Sequence, residues 1–155
     1  MVVHIRGLMV IATLSFLLLA AVVAVHAQGT DIIGELDALK YRANDLSGRM
    51  ENEVLDLRGA YGTVNSTRAL SADDRTHVRS MADKAVKDAG GWDGEITDIR
   101  RGLWDVESRY DARQMSRVNA TIAEGRMDIL RHDLDRLQGM STEARILADR
   151  IMRGA

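Results

Sequence analysis

The chain has 155 residues, with 21 Lys and Arg against 23 Asp and Glu, a formal net charge of −2 and a hydrophobic fraction of 46%. It has no cysteine and no proline, which excludes disulfides, thiolate metal sites and a cysteine nucleophile and removes the residue that most strongly interrupts helices. The near-balanced charge lacks the basic excess with which a dedicated nucleic-acid binder neutralises phosphates, so no nucleic-acid partner is expected.

Leu8 to Val25 is an uncharged apolar run, preceded by a short head whose one Lys or Arg is Arg6. A run of about eighteen residues exceeds the usual signal-peptide core and is at the short limit for a membrane-spanning helix. Val25-His26-Ala27, followed by Gln28, offers compact residues at a signal-peptidase site. Residues 1–27 are therefore expected to be either a signal peptide or a membrane anchor through 8–25. Acidic residues are absent until Asp31, so the head stays inside and the remainder is translocated. The expected location is extracytoplasmic, either exported (periplasmic or secreted) or anchored in the membrane by the N-terminal helix. Residues 28–155 are one domain's worth of chain. Phe16, the single Phe, belongs to the leader, which leaves Leu, Ile, Val, Met and Ala with a few Trp and Tyr, the palette of a helical bundle or coiled coil.

From Ile32 the apolar positions are Ile32, Leu36, Leu39, Ala43, Leu46, Met50, Leu57 and Ala60, a heptad seam broken once, at Glu53. They predict a first helix over 31–60, with Asp31, Glu35 and Asp37 near the positive end of its dipole. Tyr61 to Leu70 loses the period, gathers turn-forming residues and reads as a loop. Ser71 then has the character of an N-cap, and Val78, Ala82, Ala85 and Ala89 give a second helix, over 72–89, a small-residue face. Gly90-Gly91 is expected to end it. The following Trp92-Asp93-Gly94 resembles the Trp-x-Gly turn of the small helical-hairpin substrates of type VII secretion, which implies a turn at that point.

The seam restarts at Ile96, Ile99, Leu103, Val106 and Tyr110 and passes to Val118 and Ile122 by steps of four and four through Gln114, an eleven-residue spacing that unwinds a left-handed supercoil. Ile129, Leu130, Leu134 and Leu137 carry it to Gln138. Gly125 leaves the continuity of this helix open. Gly139 with Ser141 invites a break before a final helix over 142–153, with Ala144, Leu147, Ala148 and Ile151 inward. The expected fold is all-α: a signal or anchor segment followed by a bundle or coiled-coil hairpin of three to four long amphipathic helices.

Three clusters carry candidate chemistry. Val106-Glu107-Ser108-Arg109-Tyr110-Asp111, with Ser116 further on, resembles the catalytic-glutamate segment of lytic transglycosylases over about ten residues. That resemblance implies Glu107 as the acid that protonates a glycosidic oxygen. Gln114-Met115 and Thr121-Ile122-Ala123-Glu124 depart from the family's flanking elements. Glu124, Asp128, His132 and Asp135 share a helix face where a carboxylate–histidine metal site is geometrically open, against a solvated face with ion pairs to Arg131 and Arg136. Arg109, Arg113 and Arg117 form a basic ribbon at four-residue steps, suited to an anionic partner, without the aromatic interleaving of a nucleic-acid surface.

The pattern as a whole favours a non-catalytic scaffold or protein–protein interaction module of the cell envelope or of a secreted assembly. Self-association or a protein partner is expected through the helical faces that carry Ile32, Leu36, Leu39, Leu46, Met50, Leu57, Ile96, Ile99, Leu103, Val106 and Tyr110. The alternatives are a periplasmic ligand-sensing bundle and a peptidoglycan-acting lytic enzyme using Glu107. No cofactor, metal or catalytic residue is expected on the favoured reading.

Overall fold

The computed structural model describes residues 31–66 and 70–155, together with the backbone of 2–30 as the first part of α1. Cleavage after Ala27 and anchoring through 8–25 lie outside the described residues. Three helices, α1 (Val2–Val64), α2 (Ala72–Arg109) and α3 (Arg117–Gly154), make an all-α fold, with a short 3₁₀ turn at Ala112–Gln114. Among the described residues no helix is long and apolar enough to cross a membrane.

Interhelical ion pairs give the topology directly. Asp37–Arg126 (2.5 Å), Glu51–Arg136 (3.2 Å) and Arg58–Glu143 (2.7 Å) ascend together, so α1 and α3 are parallel. Glu35–Arg109, Arg49–Glu95 (2.6 Å) and Glu53–Lys84 (2.7 Å) run in opposite order, so α2 returns between them. The bundle is up-down-up. At 38 residues each, α2 and α3 are about 55 Å long at 1.5 Å per residue.

The core is a set of heptad seams closed on one another. On α1 the buried positions are Ile32, Leu36, Leu39, Ala43, Leu46, Met50, Val54, Leu57 and Ala60. Val54 takes the place at which the sequence pattern shows a break. The seam steps by four from Met50 to Val54, an eleven-residue spacing that locally relaxes the supercoil. Glu53 is thereby turned toward α2, where Lys84 holds it. The helix also continues through Tyr61–Val64 instead of ending at Ala60. The ring of Tyr61 lies 5.8 Å from the Arg150 guanidinium, a cation–π contact that fastens this last turn to α3.

Ser71 caps α2 as expected, in a capping box: its hydroxyl accepts from the Asp74 N–H at 3.1 Å, and the Asp74 carboxylate accepts in return from the Ser71 hydroxyl and backbone N–H. The expected stop at Gly90-Gly91 does not occur, and Trp92-Asp93-Gly94 is mid-helix, not a turn. Two physical reasons are visible. The buried positions Val78, Ala82, Ala85, Ala89, Trp92, Ile96, Ile99, Leu103 and Val106 alternate fours and threes straight through the glycines. Asp93 is also tied to α3 by Ser141, Gln138 and Arg145, so packing offsets the propensity lost at the glycines.

The true α2–α3 connection is Tyr110–Ser116, where the spacing alone suggests a continuous helix. Asp111 accepts from the Arg113 N–H (2.9 Å), and Ser116 caps α3 by accepting from the Asn119 N–H (3.2 Å). Val118 and Ile122 are consequently exposed, as is Ile129, and the α3 seam runs instead through Ala120, Ala123, Met127, Leu130, Leu134, Leu137, Ser141, Ala144, Ala148 and Ile151. Neither Gly125 nor Gly139 interrupts it, and the expected separate helix over 142–153 is the end of α3.

Candidate functional site

Ten of the eleven residues expected to form an intermolecular seam, Ile32, Leu36, Leu39, Leu46, Met50, Leu57, Ile96, Ile99, Leu103 and Val106, are buried in the chain's own core. The eleventh, Tyr110, is half-buried at the start of the loop. Its hydroxyl donates to the Glu124 carboxylate at 2.8 Å. Burial, and then this hydrogen bond and the Glu124 charge, push the phenol up to about 12.

The surface left to the outside is built on the flanks of these seams. Along the α2–α3 side two clefts follow one another. One, of about 390 Å³, is lined by Glu107, Tyr110, Glu124, Met127, Asp128 and Arg131. The next, of about 340 Å³, is lined by Arg100, Leu103, Trp104, Glu107, Arg131, Leu134 and Asp135. They share the Glu107–Arg131 ion pair (2.7 Å), which bridges the groove between them. Trp104 stands over the second cleft with 68% of its surface exposed, while Leu103 and Leu134 beneath it are 3% and 2% exposed. By contrast Trp92, earlier on the same helix, is a core residue.

On the rim of the same cleft sit Arg100, from α2, and Asp135, from α3. Neither has a hydrogen-bond or ion-pair partner among the described residues. The other charged residues lining the two clefts are engaged: Glu107 and Asp128 by Arg131 (2.7 and 2.5 Å), and Glu124 by the Tyr110 hydroxyl.

The expected chemical clusters come apart in three dimensions. Glu107 is gripped by Arg131 from α3 and lies in an open groove, so its oxygens accept from a guanidinium instead of facing a glycosidic oxygen from an apolar cleft. Of the carboxylate–histidine face, Glu124 accepts from Tyr110 and Asp128 from Arg131. No group of three His, Asp or Glu among the described residues is placed to hold a metal ion. The basic ribbon is broken by the loop: Arg109 ends α2 and is paired with Glu35 and Asp105, Arg113 is in the 3₁₀ turn, and Arg117 begins α3. The pairing with Glu35, with a smaller opposing effect of burial, holds the Arg109 guanidinium above its ordinary value.

The most buried polar contact in the bundle is centred on Asp93. Ser141, fully buried, donates its hydroxyl to Asp93 Oδ1 at 2.7 Å; Gln138 donates from 3.5 Å, and Arg145 closes the other oxygen. Burial alone would raise the Asp93 carboxyl, but the hydrogen bonds from Ser141 and Arg145, with the Arg145 charge, hold it below the ordinary aspartate value. A cleft of about 490 Å³ between α1 and α2 is zwitterionic, and most of its charges satisfy one another: Arg49 with Glu95, and Lys84 with Glu53 and Asp88.

No family model, curated protein or solved structure matches this chain.

Trp104, Arg100 and Asp135 escape the sequence pattern because they are one or two positions off the seam, where helical periodicity predicts solvent. The available signal is a tryptophan next to a seam leucine and outside the seam itself, since a large aromatic on a solvated flank is rarely there for the core.

Proposed function

We propose that this chain is a non-catalytic, extracytoplasmic helical module that acts as a scaffold or protein–protein interaction element of the cell envelope or of a secreted assembly. The observation that carries this reading is Trp104, largely exposed over a floor of buried Leu103 and Leu134. Aromatic anchors beside an apolar floor dominate the energetics of protein interfaces. The Leu8–Val25 run supports export or anchoring, and a three-helix rod about 55 Å long suits a spacer that holds a binding face away from its attachment point. The engagement of Glu107 by Arg131 and the internal pairing of most charges in the α1–α2 cleft support a role without catalysis.

The test places a photoreactive residue at position 104 of the full chain in its host cell, with the same residue at exposed position 79, near the start of α2, as control. Discrete protein adducts from 104 and none from 79 are expected. Equal or absent adducts at the two positions would contradict the reading.

A further inference from the structure

We infer that the occupant of the α2–α3 groove is a second copy of this chain, bound about a two-fold axis. The inference deepens the reading of the bundle as an interaction module and rests on it. A charged or aromatic residue without a partner is commonplace on a solvated surface, but here three of them share one cleft. Arg100 and Asp135 carry opposite charge, line one cleft from opposite helices, and are bonded neither to each other nor to any described residue, although most other charged residues bordering the two clefts of the groove are engaged. Trp104 lines the same cleft over an apolar floor.

An isologous contact turns this arrangement into complementarity. With the two-fold axis running along the groove, each patch meets itself with its walls exchanged, so a residue on one wall meets the residue on the other wall of its mate. Arg100 then faces the partner's Asp135, and Asp135 faces the partner's Arg100, giving two ion pairs from two lone charges. Trp104 covers the apolar floor of the other copy while its own floor is covered in turn. The groove's own Glu107–Arg131 bridge remains intact at the rim and needs no rearrangement. An unrelated partner would have to present an acid and a base at this one spacing, whereas a second copy presents them by construction.

The experiment is sedimentation velocity on the full chain in mild detergent across a hundredfold concentration range, with four variants. Arg100→Asp and Asp135→Arg each set like charges against each other at both ends of the contact, and each is expected to weaken dimerisation by about tenfold or more. The double variant Arg100→Asp/Asp135→Arg restores opposite charges and is expected to return to within about threefold of the parent affinity. Trp104→Ala is expected to remove the dimer while leaving the helical circular dichroism unchanged, which separates loss of contact from loss of fold. A tryptophan emission that shifts to the blue as the dimer forms reports on Trp104, because Trp92 is buried in both states.

A parent chain that stays monomeric, single variants that associate like the parent, or a double variant that is not rescued would each overturn the proposal. If the chain is monomeric but photoreactive position 104 still yields adducts with a different protein, the interaction-module reading stands and the second-copy assignment falls. Emission that shifts with added glycan fragments or lipid vesicles at constant monomer mass would likewise assign the groove to another occupant.

Discussion

Replacing Gly90, Gly91 and Gly94 together by alanine tests the feature in which the fold departs most from its sequence pattern. All three are inside α2 and exposed, none has a positive φ, and a Cβ built on any of them meets nothing within 4 Å. Glycine in a helix interior is about 0.8–1 kcal/mol less favourable than alanine, mainly through backbone entropy. The triple variant should therefore gain about 2.5 kcal/mol, a rise of about 10 °C in melting temperature for a domain of this size. If the Gly-Gly pair instead ended a helix in a left-handed turn, the same substitutions would strain the turn and lose about 1–2 kcal/mol. The sign of the effect thus decides between a helix and a turn. Thermal melts followed by circular dichroism at 222 nm, with urea titrations to check that the m-value is unchanged, provide the measurement. Gly102→Ala is the internal control, because its Cβ would stand 2.7 Å from Leu39 Cδ2. Overpacking there should exceed the propensity gain and leave the variant about 1 kcal/mol below the parent. A triple variant no more stable than the parent would refute the continuous α2 helix.

Three further outcomes follow from the geometry. Val54→Ala should lose about 2 kcal/mol in urea titrations, through lost burial and a residual cavity, whereas Glu53→Ala should change stability by less than about 1 kcal/mol because its partner Lys84 is 61% exposed and the pair stays at the surface; the opposite order would return the seam to position 53. Asp93 titrates below its ordinary value in the folded chain, so the stability it contributes is present above about pH 4, the unfolded value, and is lost as pH falls through the depressed folded value. An acid titration of stability should accordingly be shallower in Asp93→Asn than in the parent, and parallel curves would show that the Ser141–Arg145 contact does not favour the carboxylate. Tyr110, raised to about 12 in the folded chain, contributes stability that is complete below about pH 10 and lost between pH 10 and 12; the difference in absorbance at 295 nm between the parent and Tyr110→Phe should be centred near 12, and a midpoint near 10 would remove the Glu124 contact.

Much of the fold was legible because heptad spacing is a property of the chain and needs no partner to be read. Ile32 to Met50 and Ile96 to Val106 reveal their buried face by counting alone, and Ser71 announces its helix by a local hydrogen bond to Asp74. The misplaced helix stops come from letting local propensity outrank register. Gly90-Gly91 and Gly139 look like stops, yet the alternation of threes and fours runs unshifted across both, from Ala89 to Trp92 and from Leu137 to Ser141. A loop of arbitrary length would almost always shift that phase. Conversely, Tyr110 to Val118 preserves a helix-like spacing while the chain turns, because Asp111 and Ser116 make local caps whose strength no apolar pattern records.

The candidate site was much less legible, for a reason that also bears on what the bundle can bind. Periodicity identifies residues that want to leave water, and in a single chain it cannot say whether the surface they meet belongs to the same molecule. Here ten of the eleven candidate seam residues are consumed within the chain, so any partner must use residues that periodicity assigns to solvent. Such residues are recognisable only in three dimensions, as a tryptophan exposed over buried leucines or as charges whose neighbours are paired and they are not. Arg131 illustrates the point: in sequence it is one cation among 21, but in the bundle it takes up both Glu107 and Asp128. That leaves Arg100 and Asp135 as the unmatched pair in the cleft that Trp104 lines. What distinguishes the groove is therefore two unmatched opposite charges in one cleft whose other charges are matched, and such a contrast has no counterpart in a linear pattern.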